Sequence, residues 1–152
     1  EATKETYATG EENDIELLMK IRLEMLRVVN NLTADYQFDE SIVNNARKYF
    51  IDGSHTTVLA VNEYVIGCAT MCYIQMMPTF SHPTGKRAHL MNVYTASEYR
   101  RQGIALKMLE ILIDTARKNG VTQISLDATE AGRPLYKKAG FNGSDEYMVM
   151  DL

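Results

Sequence analysis

The sequence predicts an α/β domain built on one mixed sheet with helices on its faces, and three observations predict it. Apolar periods of 3.6 and of 2 succeed one another along the chain in the order ααβββαβαβ. Two of the strands are joined by a short turn, so they pair antiparallel. A strand, helix, strand unit then runs over residues 88–127, and its right-handed crossover makes the two flanking strands parallel. The length of 152 residues suits one domain, 1–152, and 45% hydrophobic with 24% charged residues is the balance of a globular chain rather than a disordered or fibrous one.

The elements follow in order. Asn13-Asp14-Ile15-Glu16, after a short polar segment, reads as a helix start in which Asn13 caps and Glu16 reaches back. Ile15, Leu18, Ile21, Met25 and Val28 give the helix its apolar stripe to about Val29, with Glu16, Lys20, Glu24 and Arg27 on a solvated face. Asp39 caps a second helix from Glu40 to Phe50, ended by Asp52-Gly53. Thr56 to Val61 and Tyr64 to Met76 form a hairpin about Asn62-Glu63, followed by a loop from Pro78 to Lys86 and a strand from Ala88 to Thr95. Gly103 to Asn119 is a strong helix closed by Gly120, and Gln123 to Asp127 the next strand. Pro134 opens a short helix that Gly140 ends, and Glu146 to Leu152 reads as a final strand.

Charge and composition exclude several functions. The balance of 16 Lys and Arg against 20 Asp and Glu gives a net charge of −4, which argues against nucleic-acid binding through phosphate neutralisation. The greasiest stretch, Val65 to Met77, is broken by Gly67, Thr70 and Gln75, too short for a membrane span. Glu1 opens the sequence without an initiator Met, which reads as a trimmed N-terminus, and no apolar signal core follows it, so the expected location is cytoplasmic. Cys68 and Cys72 lie four apart in a strand, about 13 Å, which forbids a disulfide between them; reduced, buried thiols are expected. His55, His82 and His89 lack the spacing of a metal set, so no metal is expected.

One stretch carries chemistry. Tyr94-Thr95-Ala96-Ser97-Glu98-Tyr99-Arg100-Arg101-Gln102-Gly103-Ile104-Ala105 takes a strand through a short turn straight into a helix. The unpaired N–H groups of a first helical turn and the helix dipole make a natural anion site, and Gly103 and Ala105 let a phosphate approach. Arg100 and Arg101 supply countercharge. The stretch lacks the Gly-Lys-Ser/Thr of a Walker loop and the glycine fingerprint of a dinucleotide site.

With Asn92-Val93-Tyr94-Thr95 before the turn, Arg100 to Ala105 as an (R/Q)-x-x-G-x-(G/A) motif, and Leu135-Tyr136-Lys137-Lys138-Ala139-Gly140-Phe141 as a late L-Y-x-x-x-G-F signature, the sequence resembles the GNAT superfamily of acyl-CoA-dependent N-acetyltransferases. The resemblance implies a mostly antiparallel mixed sheet with one splayed parallel pair. It implies acetyl-CoA as co-substrate, its pyrophosphate held by the backbone of Arg101, Gln102, Gly103, Ile104 and Ala105 with Arg100 assisting. Val93 and Thr95 would offer main-chain groups to the pantetheine arm as an added strand does. The sequence departs from the family at Thr129, where an Asn is common; its hydroxyl stands in as a hydrogen-bond partner.

The reaction assigns further roles. An amine of pKa near 10.4 must lose a proton before it attacks a thioester, after which charge develops on the carbonyl oxygen and then on sulfur. The N–H of Val93 would stabilise the first, and Tyr136 would protonate the second. Asp127 and Glu24 are candidates for the base, with Asn92 orienting the acceptor. Met76, Met77, Pro78 and Phe80 are candidates for an apolar acceptor wall. The expected activity is direct transfer of an acetyl group to a primary amine of a small molecule or peptide in a ternary complex, in a chain that fits a monomer or a homodimer; a CoA-binding module without turnover is the alternative.

Overall fold

The structure, a computed structural model, describes residues 5–10 and 14–152. Its strands β1 (Thr6–Thr9), β2 (His55–Asn62), β3 (Tyr64–Gln75), β4 (Lys86–Thr95) and β5 (Gln123–Leu126) form one sheet in that order. The first four pair antiparallel, and β4 and β5 pair parallel, as the crossover rule requires. Helices α1 (Ile15–Val29) and α2 (Glu40–Asp52) cover one face, where Leu18, Ile21 and Phe50 meet Leu59 and Cys68. Helices α3 (Ile104–Lys118) and α4 (Arg133–Ala139) cover the other.

The α3 face holds the larger core. Met108, Leu109 and Leu112 are 0% exposed against Val58, Ala60, Ala69, Met71 and Leu90. Each such burial contributes about 1.5–3 kcal/mol, so α3 and the turn before it are anchored to the sheet. That anchoring positions the candidate site.

Four expectations need correction. The N-terminal segment is not merely polar: Thr6–Thr9 is a strand registered Thr6 to Val61 through Thr9 to Val58, because half-buried Tyr7 packs on the α3-side core. Residues Glu146 to Leu152 form no strand, since nothing among the described residues pairs with them. Glu16 pairs with Arg47 of α2, and the cap expected at Asn13, to which Glu16 would reach back, lies outside the described residues. Arg27 leaves the solvated face: its guanidinium donates to the Tyr36 carbonyl at 3.1 and 2.9 Å and lies 5.1 Å from the Phe38 ring centre. Asp39 caps α2 as expected, accepting from the Ser41 amide at 3.4 Å. Cys68 is buried, but Cys72 only partly so.

Candidate active site

The parallel pairing of β4 with β5 begins at Arg87 and Gln123 and stops at Leu90 and Leu126. Beyond it β4 runs five residues further, to Thr95, with its β5 edge unpaired. Within this overhang β4 is bulged: Met91 opposes Thr70 and Tyr94 opposes Cys68, so Ala69 faces two residues. The bulge sits at Asn92, whose φ is +60°, a left-handed conformation that Asn tolerates better than most residues. Leu90 and Val93 both reach the α3-side core, so the bulge resets the alternation of side chains.

Asn92 is 8% exposed and committed at both ends of its amide. Arg22 of α1 donates from Nη1 to Asn92 Oδ1 at 3.2 Å, and Asn92 Nδ2 donates to Thr70 Oγ1 at 3.2 Å. Thr70 and Thr57 hydroxyls lie 2.9 Å apart, and Thr57 Oγ1 is 3.1 Å from His55 Nδ1. The Cys68 thiol donates to the Asn92 carbonyl at 3.2 Å. The bulge is therefore pinned from three sides, and the Asn92 side chain faces this buried chain of partners rather than an acceptor. Burial pushes the Cys68 thiol up to about 12, against the opposing pull of Arg22, and burial also raises Cys72. Neither cysteine supplies a thiolate at neutral pH.

After Thr95 the chain makes a single 3-10 turn, Ser97–Tyr99, fastened by Ala96 N–H to the Ile66 carbonyl at 2.8 Å. Arg101 and Gly103 take left-handed φ values of +62° and +81°, which turn the chain into α3. The first intrahelical bond runs from Lys107 N–H to the Gly103 carbonyl at 3.1 Å, so the earlier amides of the turn have no helical acceptor. No side chain caps them, and a Cβ built on Gly103 would meet nothing within 4 Å. These open donors, with exposed Arg101 beside them, suit a diphosphate. Ile104, by contrast, is buried and anchors the turn from below. Arg100 folds back, its Nε donating to the Thr95 carbonyl at 3.0 Å, while the Thr95 hydroxyl is buried with no partner among the described residues. Gln102 donates to the Glu98 carbonyl at 3.4 Å.

A third group gathers at the end of β5. The Asp127 side chain is 92% exposed, and its Oδ2 lies 3.4 Å from His89 Nε2; the other His89 nitrogen, Nδ1, is 2.7 Å from Ser125 Oγ. Tyr136 of α4 borders the same groove as His89 and Asp127. Its ring meets Phe141 edge-on at 6.2 Å, and burial raises its hydroxyl above the ordinary value. Gly132 is required beneath it, because a Cβ there would come within 2.9 Å of the Tyr136 ring and 3.2 Å of the Thr129 hydroxyl. That hydroxyl accepts from the Gly132 amide at 3.1 Å, so Thr129 shapes the turn that presents Tyr136.

Thus the overhang and turn bring Val93, Thr95 and Arg100 to Ala105 into one continuous segment, and Tyr136 and Asp127 share a groove. Glu24 stands exposed on α1 and joins neither group. Met76, Met77 and Phe80 are exposed in the loop, Phe80 fully. Sequence reasoning missed Arg22 and His89. Only the half-buried position of Arg22, beside Ile21 in the helical stripe, hints at the first; the parallel register of His89 with Ser125 reveals the second.

The model of the Acetyltransferase (GNAT) family matches residues 18–141. Among solved structures, a predicted acetyltransferase of Clostridium acetobutylicum crystallised with acetyl-CoA is 28% identical, with a TM-score of 0.83 over 97% of this chain and 96% of that one. An acetyltransferase of Trypanosoma brucei (20% identical, TM-score 0.71, 98% and 100% covered) and the glucosamine-6-phosphate N-acetyltransferase of Arabidopsis thaliana (16%, 0.69, 97% and 98%) share the fold. Among the described residues no helix is long and apolar enough to cross a membrane.

Proposed function

The chain belongs to the GNAT acetyltransferase family and is an acyltransferase, and from that premise we propose that its 152 residues work as one N-acetyltransferase domain using acetyl-CoA and a primary amine in a ternary complex. The observation that carries this reading is the overhang of β4, which offers an unpaired strand edge leading directly to a helix start with free amides.

The amides of Gln102, Gly103, Ile104 and Ala105 hold the diphosphate, with Arg101 and Arg100 as counterions. The edge of β4 at Val93 and Thr95 receives the pantetheine arm by main-chain hydrogen bonds, and Thr129 flanks it from the opposite strand end. Acetyl-CoA supplies an activated acetyl group as a thioester. Val93 N–H, displaced by the bulge, is the donor for the carbonyl oxygen as negative charge builds there. Arg22 and Asn92 do not touch the reacting atoms; they hold that donor in place.

Tyr136, kept protonated by burial, donates its phenolic proton to the departing sulfur. Asp127, with His89 at 3.4 Å, takes the proton from the attacking amine. The raised pKa values of Cys68 and Cys72 support transfer without an acyl-cysteine stage. Glu24, exposed on α1, serves at most to attract a cationic acceptor, in keeping with the net charge of −4.

The test follows thiol release from acetyl-CoA across a panel of small amines, amino acids and peptide N-termini. Amine-dependent release, with no acetylated protein detected by mass spectrometry, is the expected result. Tight acetyl-CoA binding with no turnover on any amine would refute catalysis, and acetyl retained on a cysteine would refute direct transfer.

A further inference from the structure

His55 stands at the far end of a buried hydrogen-bond chain whose near end is the β4 bulge. Between them Thr57 is 0% exposed, Thr70 2% and Asn92 8%, so these polar groups answer to one another rather than to bulk solvent. On α2 the Phe50 carbonyl lies in the last helical turn, where a carbonyl has no amide of its own helix to accept from. His55 Nε2 lies 3.1 Å from it. The ring is held there by Tyr49, stacked at 5.5 Å, and by Phe50, edge-on at 5.5 Å.

The two ends fix the direction of every bond in the chain. A carbonyl only accepts, so His55 Nε2 carries its proton, and in the neutral ring Nδ1 is then an acceptor. Thr57 therefore donates to Nδ1 at 3.1 Å, and its oxygen is left to accept from the Thr70 hydroxyl at 2.9 Å. At the other end a guanidinium only donates, so the Asn92 oxygen faces Arg22 while its nitrogen donates to Thr70, each at 3.2 Å. Six groups thus share five bonds, with every proton pointing from Arg22 toward Phe50.

We propose that His55 is a positioning residue for the acetyl transfer: as the neutral Nε2–H tautomer it sets the proton order of this chain, and through Asn92 it holds the Val93 N–H in place. This rests on the reading of that N–H as the donor to the acetyl carbonyl. The Val93 N–H and the Asn92 carbonyl belong to one rigid peptide unit, so what fixes Asn92 aims the donor. The Asn92 carbonyl accepts from the Cys68 thiol at 3.2 Å, and the left-handed φ of +60° persists because the side chain is held inward.

A second proton on His55 breaks the order. Nδ1 becomes a donor, Thr57 must turn its hydroxyl toward Thr70, and Thr70 then accepts from both Thr57 and Asn92 while its own buried proton is left without an acceptor in the chain. The groups facing the ring are Tyr49 and Phe50 of α2 and, on β3, Cys72, which is registered opposite His55 and within electrostatic reach of Arg22. Among the described residues no carboxylate pairs with the His55 ring.

Nuclear magnetic resonance on the full chain, with kinetics beside it, decides this. At neutral pH the His55 nitrogens should report a protonated Nε2 and a bare Nδ1. As acid is added, the Asn92 side-chain amide and the Val93 N–H should shift with the same midpoint as the His55 ring. Thr57→Val keeps the shape and removes the hydroxyl, so those two signals should no longer follow the ring, and kcat should fall about tenfold with KM for acetyl-CoA unchanged. Thr57→Ser should restore both. An Nδ1–H tautomer at neutral pH, a wild-type Val93 signal indifferent to the ring, or a wild-type kcat in folded Thr57→Val would each overturn the proposal. Should Thr57→Val not fold, the wild-type titration decides alone. A wild-type chain that acetylates no amine while Val93 still follows His55 would defeat the acetyltransferase reading and leave the hold of His55 on Val93 standing.

Discussion

Substituting Gly103 separates the stability of the α3 start from its proposed use. Its φ of +81° lies in the left-handed region, where a side chain costs about 1–2 kcal/mol. Reduced freedom of the unfolded chain returns about 0.4–1 kcal/mol. A Cβ meets nothing within 4 Å, so no clash adds to this, and Gly103→Ala should cost roughly 1 kcal/mol. For a chain of this size that is a fall in Tm of about 2–4 °C. Gly103→Glu carries the same strain, but its carboxylate sits at a helix N-terminus and regains about 0.3–1 kcal/mol, so it should be no less stable than the Ala variant. Acetyl-CoA affinity should behave oppositely. The Ala variant should lose less than about tenfold, whereas the Glu carboxylate would occupy the place of the diphosphate and weaken binding by about 100-fold or more, or about 2.7 kcal/mol. Titration calorimetry measures this directly. Thermal melting gives a second reading: acetyl-CoA at about 100 times its Kd should stabilise the wild-type chain by about 2.7 kcal/mol, and ATP or NAD far less. A folded Gly103→Glu chain with undiminished acetyl-CoA affinity would refute the placement of the diphosphate at residues 100–105, as would equal melting shifts from ATP and acetyl-CoA.

Tyr136→Phe keeps the ring against Phe141 and removes the hydroxyl, so kcat should fall about 10²-fold with acetyl-CoA affinity unchanged. Because burial raises the Tyr136 pKa above 10.0, the acid stays protonated through the neutral range; the high-pH limb of kcat should lie above pH 10 and disappear in the Phe variant. Unchanged kcat would eliminate Tyr136 as the acid. His89→Ala or Asp127→Asn should lower kcat by about 10²-fold or more while leaving the melting temperature within a few degrees, and full activity in both would remove this pair as the base. Arg22→Met leaves Asn92 Oδ1 buried without its donor, which should cost about 1–3 kcal/mol in thermal unfolding and lower kcat more than it changes acetyl-CoA affinity. A kcat that survives this substitution would detach the bulge from catalysis.

What was legible in the sequence was whatever local rules decide. The turn from Thr95 into α3 needs a left-handed residue, a helix start and an apolar stripe, all within about one helical turn of one another in sequence, and each leaves its own residue type. The Arg22 to Asn92 contact joins residues 70 apart through a bulge, and no spacing rule connects a helix arginine to a strand asparagine. Asn92 by itself looked like a polar group free to meet an acceptor; only the register slip opposite Ala69 turns it inward. The tail shows the same division between local and non-local causes. Glu146 to Leu152 has the side chains of a strand, yet strand propensity describes fitness for a pleated, half-buried neighbourhood and not a conformation that a segment holds alone. β1 makes the converse case: four residues with modest β character became a strand because β2 was beside them. A strand-like sequence without a strand partner among the described residues therefore shows that the pattern states fitness for a sheet and leaves the pairing itself to what lies beside the segment.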